Sequence, residues 1–313
     1  MAKTEQVVST KTGKPVKMGI SWHKRERVWG WLFASPWIIG FCVFFAFPLF
    51  SSIYYSFTSY SILQPGEFVG LQNYRTLMQD PVFWDAVYNT VYFTVFFVPL
   101  SIIFGVSLAL FLNMRVKGMA VYRTIFFLPT LVPQVALAVL WVWLLNPQFG
   151  LVNGMLASVG IDGPAWLGDE SWSKPSLILM SLWAIGQAVV IYLAGLHDIP
   201  QDYYDAADVD GANWFQKIKS VTLPLLTPVI FYNLVMGVIG AFQQFTLPYT
   251  LTKGQGTPAN SLMFYVMYLY DNGFKYFKMG YASAMAWILF LIIMLLTGLI
   301  FLTSKRWVHY QGR

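Results

Sequence analysis

Six long apolar stretches restrict the fold of this chain more than any other feature of its sequence. Each is long enough to cross a bilayer as a helix, which takes about 20 residues, and none contains Asp, Glu, Lys, Arg or His. Hydrophobic residues make up 57% of the chain and charged residues 11%, whereas about a quarter of a soluble domain is charged. The sequence therefore predicts an all-α, multi-pass membrane protein with six transmembrane helices, at residues 28–57, 86–114, 124–146, 175–196, 222–252 and 279–304.

Lysine and arginine are distributed unevenly between the two sides of these predicted spans. Fifteen lie in the two termini and the second and fourth connections, and five lie in the other connections. Because cytoplasmic segments carry the excess of Lys and Arg, both termini are predicted to be cytoplasmic. The predicted organisation is a cytoplasmic tail with an interfacial segment at 1–27, one transmembrane domain at 28–304 and a cytoplasmic tail at 305–313. The basic excess predicts anionic lipid as a neighbour. Nucleic acid is not predicted, because no basic face with aromatic platforms is visible.

The six stretches lack ionisable side chains, and this absence excludes several classes of protein. A proton pump or a carboxylate-based symporter keeps such a group in the membrane, whereas a sodium carrier built from backbone carbonyls remains open. The serines of the spans have no His or Asp to activate them for catalysis. One cysteine and three separated histidines predict neither a disulfide framework nor a metal site. Without a glycine-rich phosphate loop, this chain is predicted to bind no cofactor, and any ATP must bind to another chain.

The connection at residues 197–224 is the most informative segment outside the predicted spans. Its sequence predicts a short helix at 203–209 with Asp202 as its N-cap, a sharp turn at Gly211, and a second, amphipathic helix at 214–221. Two short helices that meet at an angle would form a rigid knob beside the membrane. Periodicity alone equally allows a surface loop that lies among the lipid headgroups.

The same connection resembles the EAA motif of ATP-binding-cassette (ABC) importer permeases. That motif reads E-A-A, three residues, G, nine residues, I-x-L-P. Every spacing fits, with Asp in place of Glu and Val in place of Ile, and the D-G-A triplet is the form found in carbohydrate-uptake permeases of the maltose and glycerol-phosphate type. The matching residues are Asp205-Ala206-Ala207, Asp210-Gly211-Ala212 and Val221-Thr222-Leu223-Pro224. Further stretches that resemble this family lie at 36–40, 68–74, 123–129 and 193–200.

The resemblance implies a type I ABC importer permease fold, in which this chain performs no chemistry itself. It implies that residues 203–221 form the coupling segment that docks on a cytoplasmic ATPase. The partners implied are a second related permease, two ATPase subunits that bind ATP and Mg, and an extracellular or periplasmic solute-binding protein. The location implied is the bacterial cell (inner) membrane. The coupling residues implied are Asp205, Ala206, Ala207, Asp210, Gly211, Leu223 and Pro224.

A sugar or oligosaccharide needs flat apolar faces and side-chain amides or hydroxyls, and two spans supply them. In span five, Gln243-Gln244-Phe245 matches an N-N-F stretch that touches sugar in maltose-type relatives. The candidate contacts are Gln243, Gln244, Asn233 and Tyr249 in span five and Trp183 and Gln187 in span four. The alternative is that these amides join helices and the tryptophans belong to interfacial belts. Belt positions are predicted for Trp141 and Trp143, and a packing position for Cys42.

Two other functions remain open at this stage. The same fold could import another solute such as glycerol phosphate, although a phosphate favours a basic residue in the spans and none is present. An autonomous facilitator or channel is the alternative of a different class. Such a protein does not need a coupling segment.

Overall fold

The computed structural model describes residues 21–114 and 116–309, and side chains from Arg25 onward. The predicted tail at 1–20, Arg115 and the last four residues lie outside the described residues. The chain divides into two compact units, Met1–Tyr54 and Tyr55–Arg313. All the predicted functional residues lie in the second unit.

The first unit contains all but the last residues of the first predicted span. Helix α1 covers Ser21–Phe41, a π-helical turn covers Cys42–Ala46, and α2 covers Phe47–Ser56. This continuous helix is long and apolar enough to span a membrane, and none of its most apolar window is buried. Cys42 is exposed, so the predicted packing position is not met within the described chain. A helix that is apolar on all sides needs lipid or another chain around it.

The second unit consists of helices, and two isolated bridges, Thr58 with Phe68 and Ser61 with Gln64, are the β pairing in its described residues. Its first half contains α3 (Gln72–Gln79), α4 (Pro81–Leu112), α5 (Met119–Phe127), α6 (Gln134–Leu144), α7 (Leu151–Ser158), α8 (Glu170–Trp183) and α9 (Gly186–His197). Its second half contains α10 (Gln201–Val209), α11 (Trp214–Lys217), α12 (Leu223–Phe242), α13 (Thr246–Thr252), α14 (Tyr265–Tyr270) and α15 (Met279–Ser304).

Four of the six predicted spans are long helical segments without a sharp bend, and two are sharply bent. The four are Arg25–Ser56, Pro81–Leu112, Trp214–Thr252 and Met279–Ser304, and the third of these has a short non-helical interruption at residues 243–245. Span three bends by 100° between α5 and α6, and span four bends by 48° between α8 and α9. Pro129 and Pro133 explain the first bend, because proline removes a backbone donor and clashes with the preceding turn. The sequence predicted six crossings but neither bend.

Two clusters of buried side chains hold the spans together. The larger one joins α3, α4, α6, α8, α12, α13, α14 and α15. The smaller one joins α4, α5, α9 and α12, and reaches Ile199 at the start of the 197–224 connection. In that cluster a Cβ on Gly105 would lie 2.8 Å from the ring of Tyr192, so α4 and α9 are in close contact there. The connection is therefore anchored directly in the membrane bundle.

Asp80 fixes the end of α4 that is remote from the 197–224 connection. One oxygen of its carboxylate accepts from the backbone N–H of Val82 at 3.0 Å, and the other accepts from Tyr268 and from Tyr281 at 2.7 Å. Burial alone would raise the pKa of Asp80, but the tyrosine and backbone donors hold it below its ordinary value. The carboxylate thereby ties spans two and six to α14.

Replacement of this carboxylate by an amide has a predictable effect. We expect Asp80→Asn to lower the melting temperature at pH 7 by about 2–6 °C, because charge-assisted hydrogen bonds are lost. The folded-state pKa is depressed, so the contribution is present above the ordinary carboxyl pKa and disappears as the pH falls through the folded value. Thermal unfolding of the purified protein at pH 7 and near pH 3 measures both effects. Asp162→Asn, at an exposed position, is the control, and an equal loss in that variant would contradict the role of Asp80.

Candidate functional site

The first arm of the 197–224 connection is α10, which begins earlier than predicted. Pro200 occupies the N-cap and no side chain caps the helix, so the prediction that Asp202 is the cap was wrong. Asp202 lies instead in the first helical turn, where its charge interacts favourably with the helix dipole. Asp205 and Ala206 are exposed and Ala207 is half-buried. The Asp205 carboxylate accepts from the amide of Gln201 at 3.1 Å.

Gly211 forms the turn between the two arms, as the sequence predicted. Its φ angle is +73°, in the left-handed region that favours glycine. The backbone N–H of Ala212 donates to the carbonyl of Ala207 at 2.9 Å, and that of Gly211 donates to Asp208 at 3.0 Å. These bonds satisfy the last carbonyls of α10. A Cβ at Gly211 would meet nothing within 4 Å. Glycine is therefore favoured here by the backbone angle and not by a lack of space for a side chain.

The second arm is continuous with span five. Helix α11 begins with a capping box in which Asn213 and Gln216 bond each other's backbone. A π-helical turn at Ile218–Thr222 then leads directly into α12. The predicted separate helix at 214–221 is thus the first part of span five. Leu223 and Pro224 are half-buried where the span begins. Any displacement of α11 is therefore passed to span five without an intervening loop.

Two contacts brace the arms against each other. The hydroxyls of Tyr204 and Thr222 are 3.0 Å apart, and Lys217 forms an ion pair with Asp208. A groove of about 1180 Å³ lies between this connection and the α4–α5 turn. These contacts fix the angle between α10 and α11 as a rigid corner.

The outer surface of the corner is apolar and exposed. Val209 is 88% exposed, Trp214 67% and Phe215 69%. These side chains project from polar helices beyond the apolar part of span five. An exposed apolar patch with a polar rim is typical of a protein interaction surface.

A second candidate region lies where span five is interrupted. Helix α12 ends at Phe242 and α13 begins at Thr246. Gln243 is exposed and Gln244 is half-buried. No hydrogen bond joins either side-chain amide to a described residue. Non-helical backbone at membrane depth is tolerated where it is buried in protein or lines a polar cavity, and the exposed side chain of Gln243 favours the second of these.

Spans four and five pack against each other through α9 and α12. A Cβ on Gly195 would lie 2.6 Å from Val229, so these two residues mark a common level. At about 1.5 Å per helical residue, Gln187 lies ~12 Å, Trp183 ~18 Å and Gln243 ~21 Å along its own span from that level. Gln187 is exposed. Gln243, Gln244, Trp183 and Gln187 therefore all lie on the same side of this level, and this part of spans four and five is called the zone below.

The remaining two predicted sugar contacts differ in their surroundings. The Asn233 amide donates to the Val229 carbonyl of its own helix at 2.9 Å, about 15 Å below Gln243, so the structure does not bring it to the interruption. Tyr249 stacks on Phe245 with ring centroids 4.9 Å apart and meets Tyr270 edge-to-face at 5.6 Å. These rings form an aromatic wall on α13 and α14.

One residue beside this zone was not predicted from the sequence. Trp141 was predicted to lie in an interfacial belt, but its ring packs edge-to-face on Trp183 with centroids 5.9 Å apart. Its neighbour Trp143 is 57% exposed, as a belt position requires. The contact of Trp141 with Trp183 could not be predicted from the sequence, because the 100° bend of span three was not predicted.

The chemistry of the zone is that of amides beside aromatic faces. Side-chain amides both donate and accept hydrogen bonds, and tryptophan and tyrosine offer flat apolar faces. Within the described residues no three His, Cys, Asp or Glu side chains are grouped as a metal site. The zone is suited to a neutral polyhydroxylated solute.

Comparisons with known proteins give consistent matches. Residues 101–309 match the family described as binding-protein-dependent transport system inner membrane component. The chain is 41% identical over 293 residues to the probable ABC transporter permease protein YesP of Bacillus subtilis strain 168, which covers 93% of this chain and 94% of YesP. It is 34% identical over 272 residues to the arabinooligosaccharides transport system permease protein AraP of the same organism, with 85% of each chain covered.

A solved structure has the same fold. It is the crystal structure of a bacterial alginate ABC transporter in complex with an alginate pentasaccharide-bound periplasmic protein. One of its chains matches with a TM-score of 0.81 and 25% identity, and the match covers 91% of this chain and 97% of that chain.

Proposed function

The chain belongs to the binding-protein-dependent transport system inner membrane component family, and we propose that it is the permease subunit of an ATP-driven importer of sugars or oligosaccharides. The observation that carries the sugar assignment is the pair of amides at the interruption of span five, Gln243 and Gln244, which have no hydrogen-bond partner among the described residues. Sugar-related substrates in the names of AraP and of the alginate transporter support it.

We propose that the corner at residues 203–221 couples the permease to a separate ATPase. ATP and Mg would bind to that partner, and this chain would carry no cofactor. Exposed Val209, Trp214 and Phe215 supply an apolar docking surface, and the continuity of α11 with span five supplies the mechanical connection. Closure of two ATPases would then move two such corners and switch the spans between two states.

The proposed assembly contains this permease, a second related permease, two ATPase subunits and a solute-binding protein on the opposite side of the membrane. The periplasmic protein in the alginate complex supports the last of these partners. The membrane is proposed to be the bacterial cell (inner) membrane, with both termini in the cytoplasm.

The orientation has a direct test. A reporter fused after Arg313 is expected to be active only in the cytoplasm, and cysteines introduced at 147–174 are expected to react with an impermeant reagent from outside. The physical reason is the excess of Lys and Arg on the side of the termini. Labelling of that segment only after the cytoplasm is opened would contradict the arrangement.

The function itself is tested with the reconstituted complex. ATP hydrolysis is measured in vesicles with the solute-binding protein loaded in turn with maltose, lactose, arabinotriose and other sugars, and with glycerol phosphate as the non-sugar comparison. We expect stimulation by a sugar. If glycerol phosphate is the one solute that stimulates ATP hydrolysis, the substrate is glycerol phosphate and the sugar assignment is wrong. Solute flux from a permease that brings no ATPase with it on purification would indicate a facilitator.

The amides at the interruption are expected to affect transport more than assembly. Gln244→Ala and Gln243→Ala should each lower sugar uptake several-fold, because one hydrogen bond to a sugar hydroxyl is worth about 1 kcal/mol. Uptake of radiolabelled sugar is measured at matched amounts of assembled complex. Asn233→Ala is the control, because its amide is used within its own helix. If both glutamine variants take up sugar at the parental rate, these two amides do not belong to the sugar site.

A further inference from the structure

The indole N–H of Trp141 is an unsatisfied polar group inside the protein. Among the described residues, three buried side-chain atoms have no hydrogen-bond partner: Trp141 Nε1, Asp271 Oδ1 and Thr297 Oγ1. A buried donor without an acceptor costs about 1–3 kcal/mol, and such groups in native proteins need an explanation. Trp141 Nε1 is buried within the protein and has no such partner among the described residues.

The surroundings of Trp141 are those of the proposed sugar zone. Helix α6 follows the bend of span three and packs against α13, which follows the interruption at Gln243 and Gln244. The ring of Trp141 meets Trp183 at an interplanar angle of 89°. Trp183 is 44% exposed, so a solute that reaches the pair meets Trp183 first.

The bend that brings Trp141 here is fixed by a close backbone contact. A Cβ on Gly186, at the start of α9, would lie 2.6 Å from the carbonyl oxygen of Phe126 and 3.1 Å from the Cα of Phe127. The broken parts of spans three and four are therefore locked together directly below the tryptophan pair. The position of Trp141 follows from the architecture of both spans.

We propose that Trp141 is a specificity residue of the permease: when the spans switch state, its indole N–H, which is buried in the present structure, donates a hydrogen bond to an oxygen of the passing sugar, and the face of Trp183 stacks on the sugar ring. This inference rests on the proposed function. The indole N–H only donates, whereas the glutamine amides donate and accept. A solute without an oxygen at the matching position leaves the donor unpaired and is disfavoured.

The test removes the N–H and keeps an aromatic ring. Trp141→Phe is compared with Trp143→Phe, which makes the same change two residues further along the same helix, at an exposed position. The probe is whichever of maltose, lactose and arabinotriose most stimulates the parental complex. Uptake is measured with that sugar and with its monodeoxy analogues, and each preparation is checked for ATPase copurification and melting temperature.

We expect Trp141→Phe to assemble normally and to take up the sugar about five- to tenfold more slowly, while Trp143→Phe stays within twofold of the parent. We also expect the parent to disfavour one monodeoxy analogue that Trp141→Phe does not distinguish from the complete sugar. A purely structural role would slow all analogues equally, so this loss of discrimination is the specific signature of the hydrogen bond.

Two results would overturn the inference. One is that Trp141→Phe takes up the sugar at the parental rate and still disfavours the same monodeoxy analogue as the parent. The other is equal slowing of the sugar and all its analogues, which would assign Trp141 to packing alone. Failure of the proposed function gives a different pattern, because then none of the sugars stimulates the parental complex.

Discussion

Gly211→Val is expected to abolish sugar-stimulated ATP hydrolysis and transport, while Gly211→Asn retains most of both. Residue 211 has a φ of +73°, which costs an ordinary residue about 1–2 kcal/mol and is least compatible with a β-branched side chain. Asparagine tolerates the left-handed region. Because a Cβ here meets open space, a difference between the two variants reports the backbone angle alone. Both activities are measured in reconstituted vesicles at matched expression.

The large expected effect follows from the geometry of the corner. Relief of the strain rotates α10 against α11 and breaks the Tyr204–Thr222 and Asp208–Lys217 contacts that set their angle. The whole docking surface then moves. Asp205→Ala should weaken transport less, because it removes one exposed carboxylate and such contacts are worth about 0–1 kcal/mol. Full coupling in Gly211→Val would show that this corner is not the mechanical connection.

The number of crossings and the corner could be predicted from sequence because both depend on local signals. The length of an apolar stretch identifies a membrane helix. Gly211 lies between two short helical segments, where the turn requires a backbone in the left-handed conformation that glycine adopts readily. The N-cap was not predictable in the same way, because Pro200 and Asp202 are both acceptable at a helix start and the side-chain pattern does not choose between them. The continuity of α11 with span five was hidden by Pro224, which is tolerated in the first turn of α12.

The candidate sugar zone could be predicted only in part. Gln243 and Gln244 were found by their match to a family pattern, and the structure adds that they lie at an interruption of the helix. Trp141 was missed because its surroundings depend on the 100° bend of span three and on packing against span four. Proline marks where a helix can bend, but the direction and size of the bend are set by tertiary contacts far away in the sequence.

Gly186→Ala is expected to lower the melting temperature and to reduce transport more than tenfold. The added methyl would lie 2.6 Å from a backbone carbonyl oxygen and 2.9 Å from the methyl group of Thr130. A backbone atom cannot rotate aside as a side chain can, so α9 must move away from the bend of span three. Overpacking of this kind typically costs about 1–3 kcal/mol, which corresponds to a melting-temperature decrease of about 2–10 °C. Transport suffers more than stability, because the same displacement moves Trp183 and Gln187 together.

Gly298→Ala in span six is the matched control, because a Cβ there meets nothing within 4 Å. Alanine is also the better helix former, by about 1 kcal/mol, so this control should be neutral or slightly stabilising. Thermal unfolding in detergent and sugar uptake in vesicles are compared for the two variants and the parent. If Gly186→Ala matches Gly298→Ala in both measurements, spans three and four are not locked by this contact. If stability falls but transport per assembled complex is parental, the contact is structural and the sugar path does not pass beside α9.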